Sequence, residues 1–235
     1  MFSSLVSSQR IPAALTPLSE GEVLVALDPA LTDLRSVSLL RVEGEATVLS
    51  LSPARAEQLE LSASDRIERG ELSARLDRAG MVLADPDHLF YLPLAEQTAL
   101  REEPWDSATR QLTEADAAVF AEFTAQAPED DLDEAFVELD HWLVVGTFSG
   151  ERLVSAASMY PWGETLLADL GVITLPEFRG RGLGRATVRA ISAAALARGY
   201  EPQYRCQLEN TASAALARAA GFALFGVWEG LESAG

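Results

Sequence analysis

The sequence of 235 residues predicts an α/β fold of the α+β kind, divided into two domains. Short apolar runs bounded by turn residues, typical of strands, are interspersed with segments of helical period along the chain. In residues 167–198 an apolar strand, a glycine-rich turn and a helix follow one another. A polar stretch containing proline, residues 101–106, separates two structured regions. We therefore expect a first domain of residues 1–105 and a second of residues 106–235.

The first domain is predicted to be a small α+β domain. Its expected helices are residues 53–61 and 71–79, the second ending at Gly80. Its expected strands are residues 23–27, 38–42, 46–51 and 88–92. The domain carries no recognisable chemical motif. Three interpretations stay open: a degenerate copy of the second domain, a lid over an acceptor site, or a structural or dimerising domain, which would make a homodimer possible.

The second domain begins with helices and a hairpin. Residues 113–126 predict a helix with Thr113 as N-cap and Asp116 in the capping-box position. A second short helix is expected at residues 131–138. The apolar strands 141–148 and 152–160 are joined by Ser149-Gly-Glu, which predicts an antiparallel hairpin.

The glycine-rich segment after the next strand carries the strongest chemical signal. Val188, Ile191 and Ala195 recur at helical spacing in residues 185–198, and Gly199 stands where a helix ends. A glycine-rich turn at a helix N-terminus directs backbone N–H groups and the positive end of the helix dipole at one point, which suits a phosphate. Taken alone, the turn is equally consistent with an ordinary strand-to-helix connection.

The segments that follow decide between these readings. After the helix come a strand (203–208), Asn210, a short helix (211–220) and the pair Gly221-Phe222. This order resembles the GNAT superfamily of N-acetyltransferases. The matching residues are Arg179, Gly182 and Gly184 of the family's Q/R-x-x-G-x-G/A motif, with Asn210 and Gly221-Phe222 of its next motif. The resemblance covers about residues 106–235 and implies a GNAT-type mixed, mostly antiparallel sheet flanked by helices. The glycine spacing differs from the G-x-G-x-x-G of dinucleotide-binding proteins.

The resemblance implies acetyl-CoA as co-substrate. The family's strand before the glycine loop splays from the next strand, and the pantetheine arm inserts between them. By position, that strand's binding groups are Val172, Ile173 and Thr174, and the pyrophosphate would rest on backbone N–H groups of the loop. The implied cofactor-binding residues are therefore Val172, Ile173, Thr174, Arg179, Gly180, Arg181, Gly182, Leu183, Gly184, Arg185 and Asn210.

The family's usual catalytic side chains are missing. The proton donor, a tyrosine four residues before the Gly-Phe pair, is replaced by Ala217, and the two usual base positions hold Ala168 and Arg205. The expected catalytic residues are instead Glu138, Asp140 and His141, which cluster near where this fold receives its acceptor. Histidine exchanges protons near neutral pH. Asp169 is an alternative base, although strand alternation points it away from the vacant position. Ser213 and Tyr204 are alternative acids.

Two hypotheses from different classes follow. The first is an acetyl-CoA-dependent N-acetyltransferase in which a primary amine attacks directly within a ternary complex. The second is a catalytically inactive acyl-CoA-binding regulatory or interaction protein, which Ala217 and Arg205 favour. An acyltransferase with another acyl donor also stays open. The acceptor, a small-molecule or peptide amine, is not specified further by the sequence.

Composition excludes several classes. The net charge of −18 argues against a nucleic-acid partner, which needs a basic face. It is compatible with a cationic acceptor or with simple solubility. Two histidines and one cysteine give no metal-ligand spacing, so no metal is expected. No apolar run approaches the length of a membrane span, and residues 1–10 do not resemble a secretory signal. Together with the single cysteine, these features predict a cytoplasmic protein.

Overall fold

The computed structural model describes residues 1–10, 21–32, 35–42 and 47–232, which form two compact units. The larger unit comprises Met1–Val6, Phe90–Arg205 and Thr211–Ala223. The smaller unit comprises Ser7–Leu89, Cys206–Asn210 and Leu224–Gly235. The predicted boundary between residues 105 and 106 remains a prediction.

The described residues form helices and strands that are interspersed along the chain. The helices are α1 (Ser4–Arg10), α2 (Pro53–Gln58), α3 (Arg69–Arg78), α4 (Leu94–Glu102), α5 (Ala117–Thr124), α6 (Glu129–Ala135), α7 (Leu183–Ala197) and α8 (Thr211–Ala219). The strands are β1 (Glu22–Leu27), β2 (Val37–Val42), β3 (Thr47–Leu51), β4 (Arg66–Glu68), β5 (Asp87–Tyr91), β6 (Thr109–Gln111), β7 (Leu143–Ser149), β8 (Arg152–Pro161), β9 (Leu167–Thr174), β10 (Glu201–Gln207) and β11 (Ala223–Gly230).

In the smaller unit the strands lie in the order β4-β1-β3-β2-β11. Strand β1 is parallel to β3 and antiparallel to β4, whereas β2 is antiparallel to both β3 and β11. The side chains on one face of these strands pack with α2 and α3. Their buried core includes Val25, Leu39, Leu49, Leu72 and Leu76.

In the larger unit the order is β10-β9-β8-β7-β6, antiparallel except for the parallel pair of β9 and β10. Thr147 of β7 bonds to Thr187 of α7 at 2.7 Å, which places α7 on one face. Ala156 and Ile173 pack with Phe123 of α5 in a second core. Because neighbouring strand residues point to opposite faces, α5 and α6 cover the face away from α7. The mixed, mostly antiparallel sheet flanked by helices confirms the predicted fold class.

Several element ends differ from the sequence prediction. The predicted helix 113–126 is a 3₁₀ turn (Glu114–Asp116) followed by α5, and the capping box is present, with the Thr113 N–H donating to Asp116 Oδ2 at 2.9 Å. The predicted helix 131–138 is wrong at its end: α6 ends at Ala135, and Phe136 takes a left-handed conformation. Glu138 therefore lies in the connection to β7.

Other ends agree to within a few residues. Helix α7 starts at Leu183 rather than at residue 185, and Gly199 has the expected positive φ of +83°.

Helix α4 was not predicted, because the polar stretch that closes it resembles a linker. The predicted strand position Ala46 lies outside the described residues. Among the described residues, no helix combines the length and apolar composition needed to cross a membrane.

Candidate functional site

Strands β9 and β10 separate halfway along β9. Their parallel register runs from Leu167 paired with Glu201 to Leu170 paired with Tyr204 and ends there. On its other edge β9 stays paired with β8 as far as Thr174. The segment 171–174 therefore has a backbone edge towards β10 that takes no part in the described ladder. Val172, Ile173 and Thr174, predicted to bind pantetheine, lie on this segment.

The loop between β9 and α7 presents a row of backbone donors. After a 3₁₀ turn at Pro176–Phe178, Gly180 and Gly182 both have positive φ, +73° and +80°. The first N–H of this region with a backbone acceptor is that of Ala186, which donates to the Gly182 carbonyl at 3.0 Å. Within the described chain, the N–H groups of residues 180–185 have no protein acceptor. This row at a helix N-terminus fits a pyrophosphate.

The glycines of the loop serve different purposes. A Cβ on Gly182 would meet nothing within 4 Å, so its positive φ is what demands glycine. A Cβ on Gly184 would lie 2.8 Å from Thr174 Oγ1, so its lack of a side chain lets α7 begin against the end of β9. The space in front of Gly182 is open, and a bound anion can reach the backbone there.

The three arginines of the loop already have protein contacts. Arg179 forms an ion pair with Asp131 and donates from Nε to the Thr174 carbonyl at 3.0 Å. Arg181 lies 5.1 Å from the centre of the Phe178 ring. Arg185 donates from Nε to the Ala219 carbonyl at 2.8 Å, which ties the start of α7 to the end of α8.

A pocket of about 290 Å³ opens beside the loop, between the end of α4 and α7. Its lining includes Leu100, Trp105, Gly182, Arg185 and Ala190. One wall is an ion pair in which Arg189 Nε donates to Glu103 Oε1 at 2.9 Å. The hydrogen bond from Arg189 lowers the pKa of Glu103. The pocket therefore adjoins the loop's donor row at Gly182 and Arg185.

Two of the three predicted catalytic residues come together. His141 Nε2 lies 3.8 Å from Glu138 Oε2, and His141 Nδ1 lies 2.8 Å from Ser158 Oγ. The Glu138 N–H also donates to Ser158 Oγ at 3.3 Å. Asp140 is exposed and is not joined to this group by any contact found within the described residues. Ser158 thus holds both the His141 ring and the backbone of Glu138, whose carboxylate lies near that ring.

A second polar network lies two residues further along β8. The Tyr160 hydroxyl donates to Asp169 at 3.2 Å, and Gln203 Nε2 donates to the same carboxylate at 2.7 Å. Arg205 adds an ion pair with Asp169 at 2.8 Å. Burial raises the pKa of Tyr160 to about 12, so its hydroxyl keeps its proton. Asp169, only 5% exposed, is held by these three partners.

The remaining sequence candidates lie in separate places. Tyr204 and Ser213 are hydrogen-bonded to each other at 2.8 Å. Ala217, the vacant acid position, is fully buried in α8, and Ala168 is fully buried in β9. The Asn210 N–H donates to the Gln207 carbonyl at 3.1 Å in the smaller unit. In the described part of the chain, no group of three or more His, Cys, Asp or Glu side chains is placed to hold a metal ion.

Sequence reasoning missed Ser158, Tyr160 and Phe136. The first two were assigned to an ordinary strand. Their signal was the period of two, which puts both on the face of β8 that bears the loop from α6 to β7. No local signal marks Phe136, because a bulky residue is an uncommon choice for a left-handed position.

Comparison with known proteins shows the family to which the sequence belongs. The sequence model described as "Acetyltransferase (GNAT) family" matches residues 99–222, more than half of the chain. A search of curated proteins found no match.

The solved structures that this chain matches include two described as members of this family. One from Novosphingobium aromaticivorans is 21% identical, with 66% of this chain and 69% of that chain covered and a TM-score of 0.48. One from Colwellia psychrerythraea is 16% identical, with 71% of this chain and 62% of that chain covered and a TM-score of 0.49. This chain thus spans less than two thirds of the Colwellia protein. On the strength of the family match, the chain belongs to the acetyltransferase (GNAT) family.

Proposed function

We propose that this protein is an N-acetyltransferase that transfers the acetyl group of acetyl-CoA to the primary amine of a small molecule or peptide. The reaction proceeds by direct attack within a ternary complex. One observation carries the proposal. Strand β9 leaves β10 after Leu170 and leads into a loop whose N–H groups, residues 180–185, have no acceptor in the described chain. The family membership supports acetyl transfer as the chemistry.

Acetyl-CoA supplies an activated acetyl thioester when it is bound. The segment Val172–Thr174 would align the amide-rich pantetheine arm through the backbone edge that is not paired with β10. The N–H groups of residues 180–185 would hold the pyrophosphate, and a backbone N–H near Ile173 would polarise the thioester carbonyl. Asn210 stays a binding residue predicted from sequence alone.

His141 is the proposed base. We assign the Nδ1 proton to the hydrogen bond with Ser158, which leaves the Nε2 lone pair free to accept the amine proton, directly or through water. Glu138, 3.8 Å from Nε2, would stabilise the imidazolium that results. Asp140 is retained as a weaker candidate at the exposed rim.

The proposed proton donor to the leaving thiolate is the pair of Ser213 and Tyr204. Ser213 lies one helical turn before Ala217 on α8, and residues four apart share a helix face. Its hydroxyl, bonded to Tyr204 at 2.8 Å, can therefore serve where the side chain of Ala217 cannot.

A second function is favoured by the state of Asp169. This carboxylate neighbours a vacant base position, yet Arg205, Gln203 and Tyr160 all bind it. Both of its oxygens already accept hydrogen bonds from these side chains. The alternative is therefore a catalytically inactive acyl-CoA-binding protein with a regulatory or interaction role.

Thiol release from acetyl-CoA across a panel of amines tests the proposal, alongside calorimetric titration with CoA. We expect CoA binding together with amine-dependent thiol release. Tight CoA binding without release from any amine would favour the inactive alternative, and absence of CoA binding would contradict both. A domain boundary at residues 105–106, a homodimer and a cytoplasmic location are kept as further predictions from the sequence.

A further inference from the structure

Three aromatic rings gather at the end of α6. The ring of Phe136 lies 4.9 Å from that of His141 and 6.0 Å from that of Tyr160, centre to centre. His141 and Tyr160 are 5.1 Å apart. Tyr160 is turned inward by its bond to Asp169, whereas Phe136 is 50% exposed. We call these three residues the aromatic cluster.

Phe136 occupies a costly backbone conformation. Its φ of +46° and ψ of 52° lie in the left-handed region, where a helix normally ends on glycine or asparagine. A bulky side chain there is rare and strained. Burial does not offset this cost, since half of the side chain remains in solvent. Strain of this kind at an exposed ring indicates a role in binding rather than in folding.

The end of α6 lies directly on the separation of β9 from β10. A Cβ on Gly171 would come within 1.7 Å of the Ala135 carbonyl oxygen, so the helix end touches the β9 backbone there. Gly171 is the first residue beyond the last pair with β10, and its partner on β8 is Ser158. Ser158 holds His141. The aromatic cluster therefore contains the proposed base and borders the proposed acyl end of the cofactor site.

We infer that the aromatic cluster is a wall of the acceptor site and that the acceptor is a primary amine that bears an aromatic group. This inference rests on the proposed function. A flat apolar ring can stack edge or face against Phe136 and His141, and a protonated amine gains from aromatic faces before it is deprotonated. Glu138, whose side chain is 51% exposed, adds a carboxylate at the rim.

A polycation is the competing acceptor, because α6 is rich in acidic residues. A polycation is less favoured because one of those carboxylates, Asp131, already forms a salt bridge with Arg179. A polyhydroxylated amine would require hydrogen-bonding groups where the cluster offers ring faces. The aromatic amine thus fits the observed surface best.

The test compares three amines: 2-phenylethylamine, the polar 2-(2-aminoethoxy)ethanol of the same charge, and spermidine. Binding is measured by calorimetry with and without saturating CoA, and thiol release from acetyl-CoA is measured in parallel. We expect 2-phenylethylamine to bind about tenfold more tightly than the polar amine, the scale of a well-placed aromatic contact. Equal affinity for the two amines, or tighter binding of spermidine, would overturn the inference.

Variants locate the effect on Phe136. In Phe136→Gly and Phe136→Asn the ring is lost while the left-handed backbone becomes easier, so the melting temperature should stay the same or rise. Affinity for 2-phenylethylamine should fall about three- to tenfold, whereas affinity for the polar amine and for CoA should not change. Leu94→Ala, which removes an exposed apolar side chain of α4, is the matched control and should alter none of these values.

The outcomes separate the two levels of the proposal. Retained preference for 2-phenylethylamine in both Phe136 variants would overturn the aromatic wall and leave acetyl transfer standing. The proposed function would instead be contradicted if CoA did not bind, or if no amine caused thiol release from acetyl-CoA. The preference among amines can still be determined in that case, because amine binding is also measured by calorimetry without CoA.

Discussion

At the scale of single residues, His141 is defined by what surrounds it. Ser158 holds its Nδ1 at 2.8 Å, Glu138 faces its Nε2, and Phe136 and Tyr160 cover its ring. A ring held in one orientation can present one nitrogen to an incoming amine. The same contacts restrict rotation of the ring of this proposed base.

The three predicted catalytic residues should therefore differ in their effect on turnover. We expect His141→Ala to lower turnover about 100- to 10,000-fold, as loss of a general base does. Glu138→Gln should lower turnover less, because Glu138 acts through the His141 ring, and Asp140→Asn should lower turnover least. Turnover is measured with an acceptor found in the amine panel, and CoA affinity by calorimetry should stay constant throughout.

Full turnover in all three variants would contradict the assignment of these three residues to catalysis. Attention would then move to Asp169, or to an acceptor that arrives already neutral. An effect of Asp140→Asn larger than that of His141→Ala would equally contradict the arrangement around Ser158.

Part of the site could be predicted from residue type alone. Gly180 and Gly182 stand where the chain needs positive φ, and that need is visible as a glycine spacing. Glu138 and His141 could be grouped because they are close in sequence. Phe136 could not, since nothing in the local sequence marks a left-handed position at a bulky residue.

At the scale of elements, α6 and β9 position the proposed acceptor side. Sequence periodicity extended α6 to residue 138, but the helix ends at Ala135, where its carbonyl packs on Gly171. Glycine in a strand marks a place where another backbone approaches closely. The sequence showed that glycine but could not show which backbone approaches it.

Helix α4 is joined to α7 by charge. Arg189 on α7 is 8% exposed and binds Glu103 just beyond the end of α4, while its Nη1 donates to the Ala220 carbonyl at 2.8 Å. The pKa of Glu103 is lowered, chiefly by the hydrogen bond from Arg189. Removal of the carboxylate leaves a nearly buried cation with fewer partners.

This ion pair predicts a pH-dependent contribution to stability. Because the folded state lowers the pKa of Glu103 below its ordinary value of 4.5, the stabilisation is present above that pH and is lost as pH falls through the lower folded value. Glu103→Gln should lower the free energy of unfolding by about 1 kcal/mol at neutral pH, a value kept small because Glu103 is partly exposed. The difference from the wild type should shrink as the solution is acidified below pH 4.5.

Denaturant unfolding at several pH values measures this difference. Glu102→Gln removes a neighbouring exposed carboxylate and is the matched control, with little effect expected at any pH. A Glu103→Gln effect that stays constant down to acid pH would show that the carboxylate's charge is not what joins the helices.

At the scale of the whole molecule, the family motif made the second half of the fold predictable. The order of strand, glycine loop, helix and strand fixed the arrangement around β9 and α7, and the family match covers residues 99–222. The first half offered only local periodicity. Four of its strands, β1, β2, β3 and β5, lie near their predicted positions, whereas β4 was not predicted. The order β4-β1-β3-β2-β11, in which β11 comes from the second half, depends on long-range pairing that no local pattern encodes.

The central claim is that CoA binds on the loop at the start of α7. Both ends of this helix carry a glycine of positive φ in open space, Gly182 with +80° and Gly199 with +83°. Glutamate at either position should cost similar backbone strain and add the same charge. Only at Gly182 would that carboxylate stand where the pyrophosphate is expected.

Calorimetric titration of the full chain with CoA, for the wild type and the variants Gly182→Glu and Gly199→Glu, tests the claim most directly. We predict that Gly182→Glu weakens CoA binding at least about tenfold, through steric block and charge repulsion at the helix N-terminus, and that Gly199→Glu leaves it unchanged. Unchanged affinity in a folded Gly182→Glu protein, or an equal loss in both variants, would contradict CoA binding at this loop.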